Sequence, residues 1–213
     1  MNRQSYHGPG RAGLMILMAI LMGMAVIAPG SAQDATPSQL ETELFHDDNS
    51  PVAGNPYGTV TLVEFFDYRC PYCRAMHPQL QKLVAQDKSV RLVLKDWPIF
   101  GGASVYAAQV AIASGWQGKY LAVHDALFAL PREMDRAAIR RAAEQAGVDM
   151  AQLDRDLSER AVEIRRTLGK TNREAQMLEL QGTPAFVIGH HVIPGAISQD
   201  DLEKLIAEAK TGR

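Results

Sequence analysis

Residues 59–86 read TVTLVEFFDYRCPYCRAMHPQLQKLVAQ, and the change of period inside this stretch decides the fold. Its first part, Thr59 to Phe66, is rich in β-branched and aromatic residues and almost continuously apolar. That is the pattern of a central strand buried on both faces. After Cys70 the apolar residues fall at Tyr72, Met76, Leu80, Leu83 and Val84, a spacing that predicts a helix over Pro71 to Gln86. Pro71 suits the first turn, where a missing N–H costs no hydrogen bond. Val90 to Leu94 reads as a second strand. Strand, helix and strand in so short a span make a βαβ unit with a parallel pair and a right-handed crossover.

Beyond this unit, the segment from Ala103 to Leu180 is alanine-rich and helically periodic, interrupted by Gly115, Gly118, Pro131, Gly147 and Gly169. Four or five helices are expected there, forming a helical subdomain inserted at about 103–180. Strand character returns at Ala185 to Ile188 and at Val192 to Ile193, joined by Gly189-His190-His191. A helix from Ser198 to Lys210 closes the chain, with Ser198 and Asp201 placed as in a capping box whose usual Glu or Gln is replaced by Asp. The class is therefore α/β, a central mixed sheet flanked by helices with an all-helical insertion.

On the other side, Gln33 to Asn55 is polar and punctuated by Thr36-Pro37-Ser38, Asn49-Ser50-Pro51 and Gly54-Asn55-Pro56. It reads as a lead-in (33–55) to a domain over 56–213, with a short edge strand near Leu44 to His46. Residues 1–32 combine a basic stretch to Arg11, an apolar run from Leu14 to Ala28 and the small residues of Pro29-Gly30-Ser31-Ala32. This is the grammar of a secretory signal peptide cleaved after Ala32. The alternative is an uncleaved membrane anchor, for which the run falls short of the usual length of about 20 apolar residues. Under either reading the domain works outside the cytoplasm, in the periplasm or a comparable space where disulfides persist.

Composition excludes several classes. With 213 residues, 46% of them hydrophobic and 22% charged, the chain is neither disordered nor fibrous. The formal charge is -2, and Arg3 and Arg11 are the only charged residues among the first 32, which leaves the remainder 20 basic and 24 acidic residues. Such a balance offers no basic footprint, so nucleic acid is excluded as a partner. Both cysteines sit in one tetrapeptide, Cys70-Pro71-Tyr72-Cys73, which excludes a disulfide-stapled scaffold.

Two cysteines at i and i+3 at a helix start can bond to each other and close a small, strained ring open to attack by a thiolate. The first sulfur lies where free backbone N–H groups and the helix dipole favour negative charge, so Cys70 is the expected nucleophile and Cys73 the resolving thiol. A metal reading would recruit His77, four residues after Cys73, but offers three ligands at most with no second pair. No metal and no cofactor are expected.

The run Phe65-Phe66-Asp67-Tyr68-Arg69-Cys70-Pro71-Tyr72-Cys73-Arg74, with His77-Pro78, Gly182-Thr183-Pro184-Ala185-Phe186-Val187-Ile188-Gly189 and Ile193-Pro194-Gly195-Ala196, resembles the DsbA-like branch of the thioredoxin superfamily. The resemblance covers about residues 44–210 and implies a thioredoxin-like fold. It implies that Pro184 is the family's cis-proline beside the dithiol, leaving the Thr183 backbone free to pair with an extended substrate. It places Glu64 as a buried acid that takes the proton from Cys73 during resolution, and Pro78 as a kink in the helix. Lys95, at the end of the second strand, is read as the charge partner of Glu64. Pro71 and Tyr72, between the cysteines, would tune the redox poise; no histidine stands there as in the strongest oxidants.

The implied activity is thiol:disulfide exchange, as a monomeric disulfide donor to reduced or misoxidised exported proteins, reoxidised by a quinone-linked membrane oxidase. Tyr72 and Thr183 also resemble isomerase and reductase relatives, which a membrane partner keeps reduced. A noncatalytic chaperone or copper-binding module on the same fold is the reading from a different class. Trp97, Phe100, Trp116 and Tyr120 admit either an apolar groove beside the dithiol or core packing, and core packing is expected. His77 is expected to pack or meet solvent near the active face, and His190 and His191 to lie on the surface.

Overall fold

The computed structural model describes residues 42–47 and 49–211. The signal segment of the sequence reading lies outside the described residues. In chain order the elements are α1 (42–45), β1 (Val52–Gly54), β2 (Val60–Phe66), α2 (Pro71–Gln86) and β3 (Val90–Asp96). The insertion holds α3 (Gly102–Gly115), α4 (Tyr120–Ala129), α5 (Arg136–Gln145), α6 (Met150–Glu159) and α7 (Ala161–Met177). Then come β4 (Ala185–Ile188), β5 (His191–Pro194) and α8 (Gln199–Lys210). No helix among the described residues is long and apolar enough to cross a membrane.

The five strands run in the order β1-β3-β2-β4-β5, with β2 and β3 parallel and every other neighbouring pair antiparallel. Strand alternation divides the core in two. Leu62 and Phe66 of β2, with Leu92 and Leu94 of β3, face one layer formed with Met76 and Leu80 of α2, the insertion, and Leu202 and Ile206 of α8. Val63 and Phe65 face the opposite layer with Val93, Ala185 and Val187, against Trp97, Leu44 and Ala175 of α7. Helices therefore cover both faces, which is why β2 and β3 read as nearly unbroken apolar runs.

Two expectations are corrected here. Leu44 and Phe45 lie in a helical turn, and the edge strand is Val52–Gly54, paired antiparallel with Arg91 to Val93 of β3. Lys95 is no partner of Glu64: the parallel register sets Glu64 beside Leu94 and Lys95 beside Phe65, so Lys95 belongs to the other face. There its ammonium, 1% exposed, donates to Asp47 Oδ2 at 2.8 Å and Glu174 Oε1 at 3.2 Å. Lys170 adds a second cation, 2.9 Å from Asp47.

The last helix is capped through Ser198, whose hydroxyl accepts from the Asp201 N–H at 3.2 Å and donates to the Asp201 carboxylate at 2.6 Å. The shorter acid thus answers the serine hydroxyl, where the longer acid of a capping box reaches back to the backbone.

Candidate active site

The strand β2 ends at Phe66, and the four residues that follow carry the chain to the start of α2. Asp67 organises this turn. Only 1% exposed, its carboxylate accepts from the backbone N–H groups of Arg69, Ile99 and Phe100 and from the Ser104 hydroxyl, all between 2.7 and 2.9 Å. One buried acid thereby ties the turn to the loop after β3 and to α3. Arg69 and Arg74 add further ties, Arg69 to the Phe100 carbonyl at 2.8 Å and to Glu133, Arg74 to the carbonyls of Tyr68 and Leu130.

Cys70 is the N-cap of α2, with extended backbone angles, and Pro71 occupies the first turn. Its N–H donates to the Asp67 carbonyl at 3.0 Å. Both cysteines are free thiols, Cys70 1% exposed and Cys73 wholly buried, whereas Tyr72 between them is 65% exposed. The Cys70 thiol is pushed down to about 6, first because the Cys73 thiol donates a hydrogen bond to its sulfur. Burial works against that shift, while backbone N–H groups at the helix start, those of Tyr72 and Cys73, add to it. Cys73 is driven far upward by burial, by its bond to Cys70 and by the charge of Glu64. One sulfur is thus ready to carry a negative charge at neutral pH, and the other holds its proton.

The Thr183–Pro184 peptide bond is cis, and both residues are buried. The Cys70 thiol donates to the Thr183 carbonyl at 3.0 Å. This differs from the expected free Thr183 backbone: while Cys70 is protonated its own S–H occupies that carbonyl. Loss of the proton frees the acceptor. The Thr183 hydroxyl is buried without a hydrogen-bond partner, and the Pro184 carbonyl accepts from Gly195 at 2.8 Å, which anchors the turn to the segment after β5.

Glu64 is 1% exposed and lies between Leu62 and Phe66 on the face of β2 whose core layer also holds Cys70 and Cys73. Burial, and then the negative charge on Cys70, push its carboxyl up to about 8. At pH 7 it holds a proton that a departing Cys73 sulfur can take. It also lines a cavity of about 290 Å³ with His77, His124 and Asp125.

The four aromatic residues do not form one groove. Trp97 lies in the opposite core with its indole N–H on Asn172, Tyr120 is buried with its hydroxyl on Asp96, and Trp116 is covered by the Arg160 guanidinium. Pro78 lies inside α2, His190 is exposed, and its ring centroid is 4.1 Å from that of His191. His77 stacks on Phe128 at 4.5 Å. Sequence reading assigned no role to Asp67 or His124. An aspartate closing a strand is an ordinary turn signal, and its partners at residues 99, 100 and 104 are distant in sequence.

Alkylation of Cys70 provides a direct check on this electrostatic picture. Because the folded thiol is pushed down from 9.0 to about 6, its thiolate is present above that value and lost as the pH falls through it. The iodoacetamide rate at Cys70 is expected to titrate with a midpoint near pH 6, whereas a midpoint near 9 would mean an ordinary thiol. The midpoint is the readout, because intrinsic nucleophilicity falls along with the pKa.

The model of the family described as DSBA-like thioredoxin domain matches residues 61–207. A solved thioredoxin-like oxidoreductase from Silicibacter pomeroyi is 42% identical with a TM-score of 0.76, covering 80% of this chain and 97% of that one. The thiol:disulfide interchange protein DsbA of Bordetella parapertussis is 28% identical over 149 residues, 66% of this chain and 68% of the relative. The Na(+)/H(+) antiporter NhaA 1 of Salinispora arenicola is 27% identical over 167 residues, 78% of this chain and 25% of the antiporter. The chain spans about a quarter of the length of that antiporter. The fold and the family model agree on the class, a thioredoxin-like domain. Within it, the chain belongs to the DSBA-like thioredoxin domain family.

Proposed function

We propose that the protein is an exported thiol:disulfide oxidoreductase that donates disulfides to folding proteins through Cys70 and Cys73. The observation that carries this reading is the opposed acidity of the two sulfurs, Cys70 lowered to about 6 and Cys73 raised, at the start of α2. A substrate thiolate attacks the Cys70 sulfur of the Cys70–Cys73 disulfide, the S–S bond breaks, and Cys73 leaves and takes the Glu64 proton. A second substrate thiolate then attacks the substrate sulfur of the mixed disulfide and releases Cys70 as its thiolate. The substrate loses two electrons and the pair gains them.

Pro184 and the Thr183 backbone align the substrate in extended form once the Cys70 proton is gone, which makes recognition largely independent of sequence. Pro71 and Tyr72 set the poise. A membrane-bound, quinone-linked oxidase reoxidises the pair, the workplace is the periplasm or a comparable extracytoplasmic space, and the protein acts as a monomer. The segment 1–32 and the likeness to a DsbA support the compartment and the donor role.

A second reading, isomerase or reductase, is favoured by two observations: Tyr72 is exposed and brings no cation to Cys70, and Thr183 precedes the cis bond. The test is to mix the oxidised protein with a reduced two-cysteine peptide at pH 7. The expected result is one peptide disulfide per protein reduced, followed by mass. A peptide that stays reduced beside a protein that stays oxidised would overturn the donor reading.

A further inference from the structure

The cavity beside Glu64 gathers side chains that disulfide exchange does not use. His77 projects from α2, one turn beyond Cys73, while His124 and Asp125 are neighbours on α4. One ligand atom from each of the three lies within 4.8 Å of the others. The His77 Nε2 is buried and makes no formed hydrogen bond, although Asp125 Oδ1 stands only 3.1 Å away. Nitrogen and oxygen are therefore close enough to share one ion.

The second imidazole is oriented from behind. His124, 3% exposed, has its Nδ1 on the Tyr68 hydroxyl at 3.1 Å, which leaves Nε2 as the nitrogen for a ligand. A buried partner on the far nitrogen is the arrangement that fixes the tautomer and ring plane of a metal-binding histidine. Ring contacts to Phe66, Phe128 and Tyr120 hold the same imidazole in place.

We propose that His77, His124 and Asp125 form a binding site for a divalent transition ion of the Zn²⁺ class. Two imidazoles and one carboxylate suit such an ion, whereas Ca²⁺ and Mg²⁺ select oxygen ligands. Bonds of about 2.0–2.2 Å in tetrahedral geometry set ligand atoms about 3.4 Å apart, so small side-chain rotations contract the present set onto an ion. The cavity of about 290 Å³ leaves the fourth position to water. Such an ion would tie the helix that carries the dithiol to the helical insertion. The site needs neither cysteine, so it stands apart from the proposed exchange reaction.

The competing explanation is that His77 and Asp125 are only an ion pair inside an aromatic cluster. Zinc titration of the purified, oxidised protein against a chromophoric chelator separates the two, because the disulfide removes both sulfurs as ligands. One Zn²⁺ per chain is expected, with affinity lowered by about 10- to 100-fold or more in His77→Ala and in Asp125→Asn. Zinc is also expected to raise the unfolding temperature of the parent and not that of Asp125→Asn. The Asp125 side chain is about half exposed, so this variant should fold as the parent does. Absence of stoichiometric binding, binding by the reduced protein alone, or binding unchanged in both variants would overturn the site.

Discussion

Replacing Cys73 by Ala will stop exchange at the mixed disulfide, and protein–peptide adducts through Cys70 will accumulate on thiol addition to an activated substrate disulfide. With Cys73 gone, no neighbouring sulfur is left to attack Cys70, whose sulfur otherwise has Cys73 as its hydrogen-bond donor. Cys70→Ser, in contrast, will form no adduct and lose transfer by at least about 10³-fold, because the nucleophile is removed while the cis-Pro184 turn remains. Intact mass after acid quenching reads both outcomes. Adducts through Cys73 in the Cys70 variant would reverse the assignment of roles.

Lys95→Met carries the largest expected cost in stability. Burial raises the pKa of Asp47, but hydrogen bonds from Lys95 and Lys170 overcome this and hold its carboxyl well below the usual range. Glu174, 1% exposed, is raised by its burial in spite of Lys95. Methionine fills a similar volume and leaves two acids buried with Lys170 as the remaining cation beside them among the described residues. Breaking a buried pair from one side costs about 3–5 kcal/mol. Urea unfolding at pH 7 measures it, and a loss under about 1 kcal/mol would mean that the cluster is hydrated and acts like a surface pair.

The difference between what was legible and what was not follows from range. The strand β2, helix α2 and strand β3 each announce themselves by local period, and Pro71 marks the start of α2 within a residue. The edge strand was misplaced because Leu44 and Phe45 look like the apolar half of a strand. Their burial comes instead from a helical turn, Leu44 under the second core. The true strand has three residues after Pro51, the last of them the turn glycine Gly54, too short for any alternation to show.

Lys95 was misassigned for a related reason. Alternation placed Glu64 correctly on its own strand, but the partner depends on parallel register, which puts Lys95 beside Phe65. At the site, the two cysteines stand out by residue type and spacing, and the cis bond at Pro184, which the family resemblance implies, is present. Asp67 was not, because its importance comes from donors 32 to 37 residues away that the fold alone brings to it. His124, 47 residues beyond His77, reaches the same cavity only through the packing of α4 on the dithiol face.

The reduction potential of the Cys70–Cys73 pair tests the donor role most directly. Ionisation of Cys70 near pH 6 stabilises the reduced form, makes the thiolate about tenfold more abundant than the thiol at pH 7, and so raises the potential by about 30 mV. Equilibration in glutathione buffers, read by thiol alkylation and mass, is expected to give a value above about -180 mV, toward the -120 mV or so of the strongest disulfide donors. A value of about -200 mV or lower would contradict the donor role and leave a protein kept reduced for isomerisation or reduction.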